Sequence, residues 1–265
     1  MSENYKKELE IATEAALKAG DFLKNWAAPL EEEWKGKINP VTKADKTSEK
    51  LLIEKMKEAF PNDIIISEET NPLEEAEVIN KRRWYLDPLD GTVNFMKGSP
   101  YWCIAIALVD SDNKTVCSVV YAPKMNNLFT AIRGKGAWLN GEKISVSQVE
   151  DLNRAVAASG FPYSFEDPEK SNLREWSNVT PEVLTVRSLG AAAMALCDVA
   201  RGRLDFFWEQ ELERWDITAA ALICKEAGAK VTDIYGQEFE GPETSVLAAN
   251  PLLHNKVLEV LYKKA

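Results

Sequence analysis

An apolar strand pattern that ends in two closely spaced aspartates constrains this chain most. Residues 84–95 read WYLDPLDGTVNF, so Asp87 and Asp90 follow a hydrophobic run, and Pro88 and Gly91 favour turns. Two carboxylates and the backbone carbonyl of Leu89 could then face one cavity, and oxygen ligands of this kind suit Mg²⁺ completed by a substrate phosphate. The alternative is an Asx-type turn in which Asp90 caps the next segment. Spacing alone leaves both open.

Three other hydrolase chemistries fit the residues less well. A haloacid-dehalogenase phosphatase places its two aspartates two positions apart, whereas Asp87 and Asp90 are three apart in the printed sequence. The single histidine, His254, lies in a predicted C-terminal helix, which disfavours a Ser/His/Asp triad. Cys197 and Arg203 have the spacing of a cysteine phosphatase loop, but they continue an alanine-rich helical pattern. Metal-assisted chemistry explains more of the sequence.

Further acidic residues support a metal site. Glu68 and Glu69 come directly after the apolar run IIIS, and Asp216 lies at the start of an apolar helical pattern. Asp216 could simply be an N-cap, a position that aspartate favours. That alternative does not explain Trp215 beside it or Glu209 seven residues earlier. We interpret these acids as a second part of the site.

Composition bounds the class of protein. The 265 residues are 45% hydrophobic with a net charge of −10, and no apolar run reaches the ~18 residues of a membrane span. We expect one domain over 1–265, with a soft internal division near residue 150. The N-terminus lacks a secretory pattern, so we expect a cytoplasmic protein with four buried, reduced cysteines. Scattered lysines and arginines predict no nucleic-acid or membrane partner.

Hydrophobic periodicity predicts a mixed α/β chain. Helical spacing covers about 3–27 and 46–60, and the segment between them reads as a loop or irregular hairpin. Five short strand patterns follow up to about residue 134, which predicts an antiparallel-rich first half. The second half alternates strand and helix patterns. Whether the charged segment 31–40 closes over the site is left open by the sequence.

These motifs together resemble the inositol monophosphatase family of Mg²⁺-dependent, lithium-sensitive phosphatases. WYLDPLDGTVNF is similar to the family's first signature and WDITAAALICKEAGAKVTD to its second. The stretches VTKAD, SEE, VVYAP, GKGAWLNGEKISVS and RSLGAAA occur in the family's order over nearly the whole chain. The resemblance implies a layered α-β-α-β-α sandwich of the inositol monophosphatase and fructose-1,6-bisphosphatase type.

The resemblance also implies a metal site. Glu68, Asp87 and the Leu89 carbonyl would hold one ion, and Asp87, Asp90 and Asp216 a second, with a third, weaker ion near Glu68. Two or three Mg²⁺ ions are implied, with Mn²⁺ as a substitute. The implied catalytic residues are Asp45, Glu68, Asp90 and Thr92, and the Thr92 hydroxyl and Asp45 would orient the attacking water.

A substrate pocket is implied in the same way. Backbone N–H groups of Gly91 and Thr92 would bind phosphate, and Glu209 would bind a sugar hydroxyl. The implied substrate-binding residues are Glu68, Leu89, Asp90, Gly91, Thr92, Gly190, Ala191, Ala192, Glu209 and Asp216.

The implied activity is hydrolysis of myo-inositol monophosphate by metal-activated water in a homodimeric enzyme. Adenosine 3′,5′-bisphosphate, fructose 1,6-bisphosphate and histidinol phosphate remain alternative substrates, because the metal motifs barely discriminate among them. A non-catalytic alternative is a cation-dependent binding or regulatory protein. Such a protein should have lost at least one of the catalytic residues, so the complete set favours an enzyme.

Overall fold

Two helices and a hairpin form the outermost layer. The computed structural model describes residues 5–27, 32–35, 39–69, 78–162, 167–239 and 244–263. Helices α1 (Lys6–Lys24) and α2 (Lys43–Ala59) pack together, and strands β1 (Glu32–Lys35) and β2 (Asn39–Thr42) pair as an antiparallel hairpin between them. Of the two alternatives that the sequence left open, a loop or an irregular hairpin, the structure has the hairpin, and positions 36–38 lie outside the described residues.

Helix α2 begins three residues earlier than the pattern predicted. The Thr42 side chain accepts a hydrogen bond from the Ala44 N–H (3.1 Å), and the Asp45 carboxylate accepts one from the Thr42 backbone N–H (2.9 Å). This capping box satisfies N–H groups that the first helical turn leaves free. Asp45 therefore lies in the first turn of a helix rather than in a loop.

A seven-stranded sheet forms the second layer. Along the chain its elements are β3 (Ile64–Ser67), β4 (Arg83–Asp90), the short helix α3 (Thr92–Met96), β5 (Cys103–Val109), β6 (Thr115–Ala122), β7 (Asn127–Ile132), β8 (Ala137–Leu139) and β9 (Glu142–Lys143). The strands lie in sequence order, with only the β3–β4 pair parallel. The prediction of an antiparallel-rich first half is confirmed.

A five-stranded mixed sheet follows in the second half. Its elements are β10 (Val156–Ser159), α4 (Leu173–Val179), β11 (Thr185–Arg187), α5 (Ala192–Ala200), β12 (Phe206–Glu209), α6 (Arg214–Glu226), β13 (Lys230–Thr232), β14 (Val246–Ala249) and α7 (His254–Leu261). The strand order is β11-β10-β12-β14-β13. Strand β10 runs parallel to both neighbours, so the ends of β10 and β12 meet at one edge.

Three hydrophobic clusters divide the molecule into layers. One lies between the α1–α2 pair and the first sheet, a second surrounds α5 and α6 between the two sheets, and a third lies between the second sheet and α4 with α7. Sheets are buried on both faces only when helices cover them, which explains the long apolar runs of β5 and β6. The α-β-α-β-α sandwich is confirmed.

Strand β4 brings the first aspartate pair into the interior. All of its residues except Asp90 are buried, and its ladder with β5 shifts register between Asp87 and Asp90. A bulge of this kind unpairs and re-aims the residues within it. The Pro88 carbonyl accepts a hydrogen bond from Ser48 Oγ (2.9 Å), which fixes the bulge against α2.

The cysteines and the histidine are structural. All four cysteines are free and buried, and Cys197 lies inside α5, where burial raises its thiol pKa well above the ordinary value. His254 is buried, and its Nε2 lies 3.0 Å from Thr232 Oγ1. Cys197 therefore lies within a helix, and His254 contacts Thr232 in the interior.

Within the described parts of the chain, none of the helices has the length and apolar character needed to cross a bilayer.

Candidate active site

A cleft of about 840 Å³ opens where the two sheets meet the helices between them. Its walls come from the ends of β4, β10 and β12, the turn before α3, and the first turns of α5 and α6. Every predicted metal and substrate residue lines it: Glu68, Asp87, Leu89, Asp90, Gly91, Thr92, Gly190, Ala191, Ala192, Glu209 and Asp216. The fold therefore brings together residues that are up to 148 positions apart (216 − 68).

Asp87 and Asp90 lie on the two sides of the β4 bulge. The Asp87 carboxylate accepts the Leu89 N–H (2.9 Å), and Asp90 accepts the N–H groups of Ala192 (3.2 Å) and Ala193 (2.8 Å). These two donors belong to the first turn of α5, where the helix dipole favours a negative charge. Burial nevertheless raises the Asp90 pKa to about 6.

Asp216 enters the cleft from α6. It is the third helical residue and accepts the backbone N–H of Glu213 (2.8 Å). The alternative that Asp216 is the N-cap is therefore wrong, because Glu213 occupies that position. A carboxylate in the first turn also benefits from the helix dipole, and its second oxygen is left for another partner.

The four acids repel one another. Burial raises the Asp87 pKa well above its ordinary value, and the negative charges of Glu68, Asp90 and Asp216 raise it further. Burial and the charges of Glu68 and Asp90 do the same for Asp216. Carboxylates in such a group are stabilised in their charged form by an added cation.

The donor set fits a hard divalent cation. It consists of carboxylate oxygens and the Leu89 carbonyl, without nitrogen or sulfur, which suits Mg²⁺ or Mn²⁺. As they stand, however, the described His, Cys, Asp and Glu side chains contain no group of three or more placed to hold an ion. The assignment of each ligand to a particular metal stays a prediction.

Thr92 and Asp45 form a hydrogen-bonded pair at the start of α3. Thr92 Oγ1 donates to Asp45 Oδ1 (2.9 Å) and lies 3.2 Å from the Leu89 carbonyl oxygen. The other Asp45 oxygen accepts the Thr42 N–H, so the Asp45 carboxylate is fixed on both sides. Burial raises the Asp45 pKa. Thr92 lines the cleft and Asp45 lies behind it.

Asn94 was not singled out by the sequence analysis, although it lies within the first motif. Its Nδ2 donates to the carbonyls of Tyr101 (2.7 Å) and Leu189 (2.8 Å). It thereby joins α3 to the Gly190 segment on the opposite wall. Gly91 has φ +91°, and a Cβ there would lie 3.1 Å from the Tyr101 carbonyl, so this turn requires glycine.

Glu209 ends β12 and is 8% exposed at the cleft wall. Burial, with a smaller contribution from the Asp90 charge, raises its pKa to about 8. Gly160, which the sequence analysis also missed, lies against it: a Cβ at position 160 would overlap the Glu209 carboxylate. Ser159 of β10 pairs with Trp208 of the parallel strand β12. Gly160 and Glu209 each come one residue later, so they lie side by side.

Comparison with known proteins agrees with this architecture. The profile of the inositol monophosphatase family matches residues 4–265. Nus factor SuhB of Escherichia coli (strain K12) is 37% identical over 246 residues, covering 92% of this chain and 91% of that protein. Inositol monophosphatase 2 of Solanum lycopersicum is 37% identical over 258 residues, or 96% and 97% of the two chains.

A solved structure has the same fold. Inositol monophosphatase from Anabaena (Nostoc) sp. PCC 7120 matches with a TM-score of 0.87 at 34% identity, covering 97% of this chain and 96% of that chain. The similarity in fold and in sequence extends over nearly the full length of this chain. This chain belongs to the inositol monophosphatase family.

Proposed function

We propose that this protein is a Mg²⁺-dependent phosphomonoesterase that hydrolyses myo-inositol monophosphate to inositol and phosphate. One observation carries the proposal: mutually repelling carboxylates line the same cleft as Thr92, whose hydroxyl donates to Asp45. Membership of the inositol monophosphatase family supports a phosphatase, and the relative from Solanum lycopersicum is named inositol monophosphatase 2. Magnesium and the particular ester belong to the proposal.

Five residues would hold the metal ions: Glu68, Asp87, Asp90, Asp216 and, through its carbonyl, Leu89. When bound, Mg²⁺ acidifies a water molecule and offsets negative charge on phosphate oxygens. The excess of carboxylates supports this assignment, since the negative charges of Glu68, Asp90 and Asp216 raise the pKa of Asp87. It also explains how a chain of net charge −10 accepts an anionic substrate.

Thr92 and Asp45 would orient the water for in-line attack. The Thr92 hydroxyl donates a hydrogen bond to Asp45, so a lone pair of Thr92 Oγ1 can accept a hydrogen bond from a water in the cleft and orient it. The Asp45 carboxylate is held by Thr42, which fixes the direction of the pair. Positioning of this kind avoids a covalent enzyme intermediate.

Glu209 would recognise the alcohol part of the substrate. Its carboxylate lines the cleft close enough to Asp90 for the charge of Asp90 to raise its pKa, yet it belongs to a different strand. A carboxylate accepts hydrogen bonds from polyol hydroxyls. The proposed enzyme is a cytoplasmic homodimer that binds no nucleic acid.

Phosphate release tests the proposal directly. We expect activity on inositol 1-phosphate that disappears after thorough chelation, returns with Mg²⁺ or Mn²⁺, and is inhibited by lithium. A parallel kcat/KM panel with adenosine 3′,5′-bisphosphate, fructose 1,6-bisphosphate and histidinol phosphate identifies the preferred ester. Activity that survives chelation would contradict metal dependence, and a preference for another ester would contradict the substrate.

A cation-dependent regulatory role is the second candidate. The name of the Escherichia coli relative, Nus factor SuhB, favours it because that name describes no hydrolysis. This role predicts that Mg²⁺ raises Tm while none of the four esters is hydrolysed. Turnover of any of them supports the enzyme.

A further inference from the structure

An ion pair lies at the exposed rim of the cleft. Lys170 Nζ is 3.2 Å from Glu211 Oε1, with the two side chains 55% and 41% exposed. Lys170 is the only basic side chain among the described residues that line the cleft. The acidic lining residues are Glu68, Asp87, Asp90, Asp167, Glu209, Glu211, Glu213 and Asp216. Among the lining residues that the structure describes, Glu211 therefore neutralises the one positive charge.

Glu211 has an unfavourable backbone conformation. Its φ is +56°, whereas every other described non-glycine residue with positive φ is an asparagine. Glutamate in this region suffers contact between its Cβ and the backbone, so glycine or asparagine is the usual choice. Strained residues of this kind cluster at functional sites, where the surrounding structure holds them. A glycine at position 211 would adopt this backbone conformation without the Cβ contact.

The two segments that carry the pair are fixed. Gln210 Nε2 lies 3.4 Å from the Glu169 carbonyl and joins the segments behind the ion pair. The Leu212 N–H donates to the Thr244 carbonyl (2.9 Å). On the other side, Arg174 pairs with the carboxylates of Glu169 and Glu175. These contacts hold Lys170 and Glu211 in positions where their side chains form the ion pair.

We propose that Glu211 determines specificity: by neutralising Lys170, it makes the rim reject phosphate monoesters that carry a second anionic group and favours esters with an uncharged polyol. The inference rests on the proposed function. With the pair formed, a second phosphate at the rim meets the carboxylates of Glu209 and Glu211. Without Glu211, the Lys170 ammonium is released to bind that phosphate.

Four proteins test this inference: the parent, Glu211→Gly, Lys170→Gln and the double variant. The readout is the ratio of kcat/KM for fructose 1,6-bisphosphate to kcat/KM for inositol 1-phosphate at one Mg²⁺ concentration. Glu211→Gly should raise the ratio about fivefold, the size of an exposed charge interaction. The double variant should lose this gain, because Lys170 must supply it.

Glu211→Gln is the matched control, since it removes the charge and keeps a side chain at positive φ. It should raise the ratio as Glu211→Gly does, whereas only the glycine variant should raise Tm, by about 2–4 °C. An unchanged ratio in both Glu211 variants, or a gain that persists without Lys170, overturns the inference. If the parent cleaves neither ester, the proposed function fails, and the ratio of Kd values from titration with the two esters decides the inference.

Discussion

The hydroxyl of Thr92 is the most direct test of the chemistry at the residue scale. Replacing Thr92 by Val keeps the side-chain shape and removes the group that donates to Asp45. We expect kcat on inositol 1-phosphate to fall by roughly 10²–10⁴, the usual contribution of a positioned proton-transfer group. Steady-state kinetics with a Mg²⁺ titration measure the effect.

Thr92→Ser is the control, because it keeps the hydroxyl, and it should retain most of the parental kcat. Mg²⁺ affinity should change little in either variant, since the Thr92 side chain is not among the implied ligands. A Val variant with near-parental kcat would exclude Thr92 from orienting the water.

Glu209 should affect recognition rather than chemistry. Measured above about pH 8, where Glu209 is ionised, Glu209→Gln removes a charged acceptor from the cleft wall, and a hydrogen bond to a charged group is worth about 1.5–3 kcal/mol. We therefore expect KM for inositol 1-phosphate to rise by ~10–100-fold. An aryl phosphate offers no hydroxyl to Glu209, so its KM should stay near the parental value. Equal losses on both substrates would refute the recognition role and the inositol assignment.

The contact between the ends of β10 and β12 gives a prediction at the scale of elements. These strands are parallel neighbours, and Gly160 leaves the space that the Glu209 carboxylate fills. Gly160→Ala should displace the carboxylate and raise KM for inositol 1-phosphate about tenfold or more, as Glu209→Gln does.

A double-mutant cycle separates this effect from general damage to the strand. In Glu209→Gln the charged acceptor is already gone, so adding Gly160→Ala should cost little more. Additive losses would show that Gly160 acts independently of Glu209. Tm of the three variants monitors the fold.

Sequence patterns predicted most of the helices and strands and missed a few short ones. Strands β3 to β7 and helices α1, α2, α5 and α6 were predicted because long apolar runs or helical periodicity mark them. Helix α4 and strand β14 were missed. Helix α4 is preceded by Asn172 at φ +60° without a side-chain cap bond, and β14 reads VLAA, which fits a helix as well as a strand.

The site was predictable only as far as its motifs extend. The resemblance identified the acids of the cleft, but it could not show that the first turn of α5 donates two N–H groups to Asp90 from 102 and 103 positions away. Nor could it show that Asn94 joins opposite walls of the cleft, or that Gly160 leaves space for the Glu209 carboxylate. Contacts of this kind arise from tertiary packing, which leaves no periodic signal in the sequence. The roles assigned to individual site residues stay predictions.

At the scale of the whole molecule, the cleft carboxylates set a pH dependence of stability. Burial and neighbouring negative charges raise the pKa of Asp87 and Asp216 well above 3.8 and that of Glu209 to about 8, and burial raises that of Asp90 to about 6. The folded, metal-free protein therefore binds more protons than the unfolded chain between about pH 4 and pH 8. Stability contributed by these groups is complete below their unfolded-state pKa values and is lost as the pH rises through the folded-state values.

We expect Tm of the chelated protein to fall from pH 5 to pH 8.5, by the order of 10 °C if these groups together cost a few kcal/mol. Saturating Mg²⁺ should raise Tm most at the alkaline end, because an ion that binds only the folded state replaces the protons lost there. Glu209→Gln removes one of the titrating groups and should flatten the upper part of the chelated profile, above about pH 6. Calorimetric scans at constant ionic strength, with and without Mg²⁺, measure all three effects. A chelated Tm that stays level or rises over this interval would show that folding does not raise the pKa values of these carboxylates, and the electrostatic basis of the metal assignment would be lost.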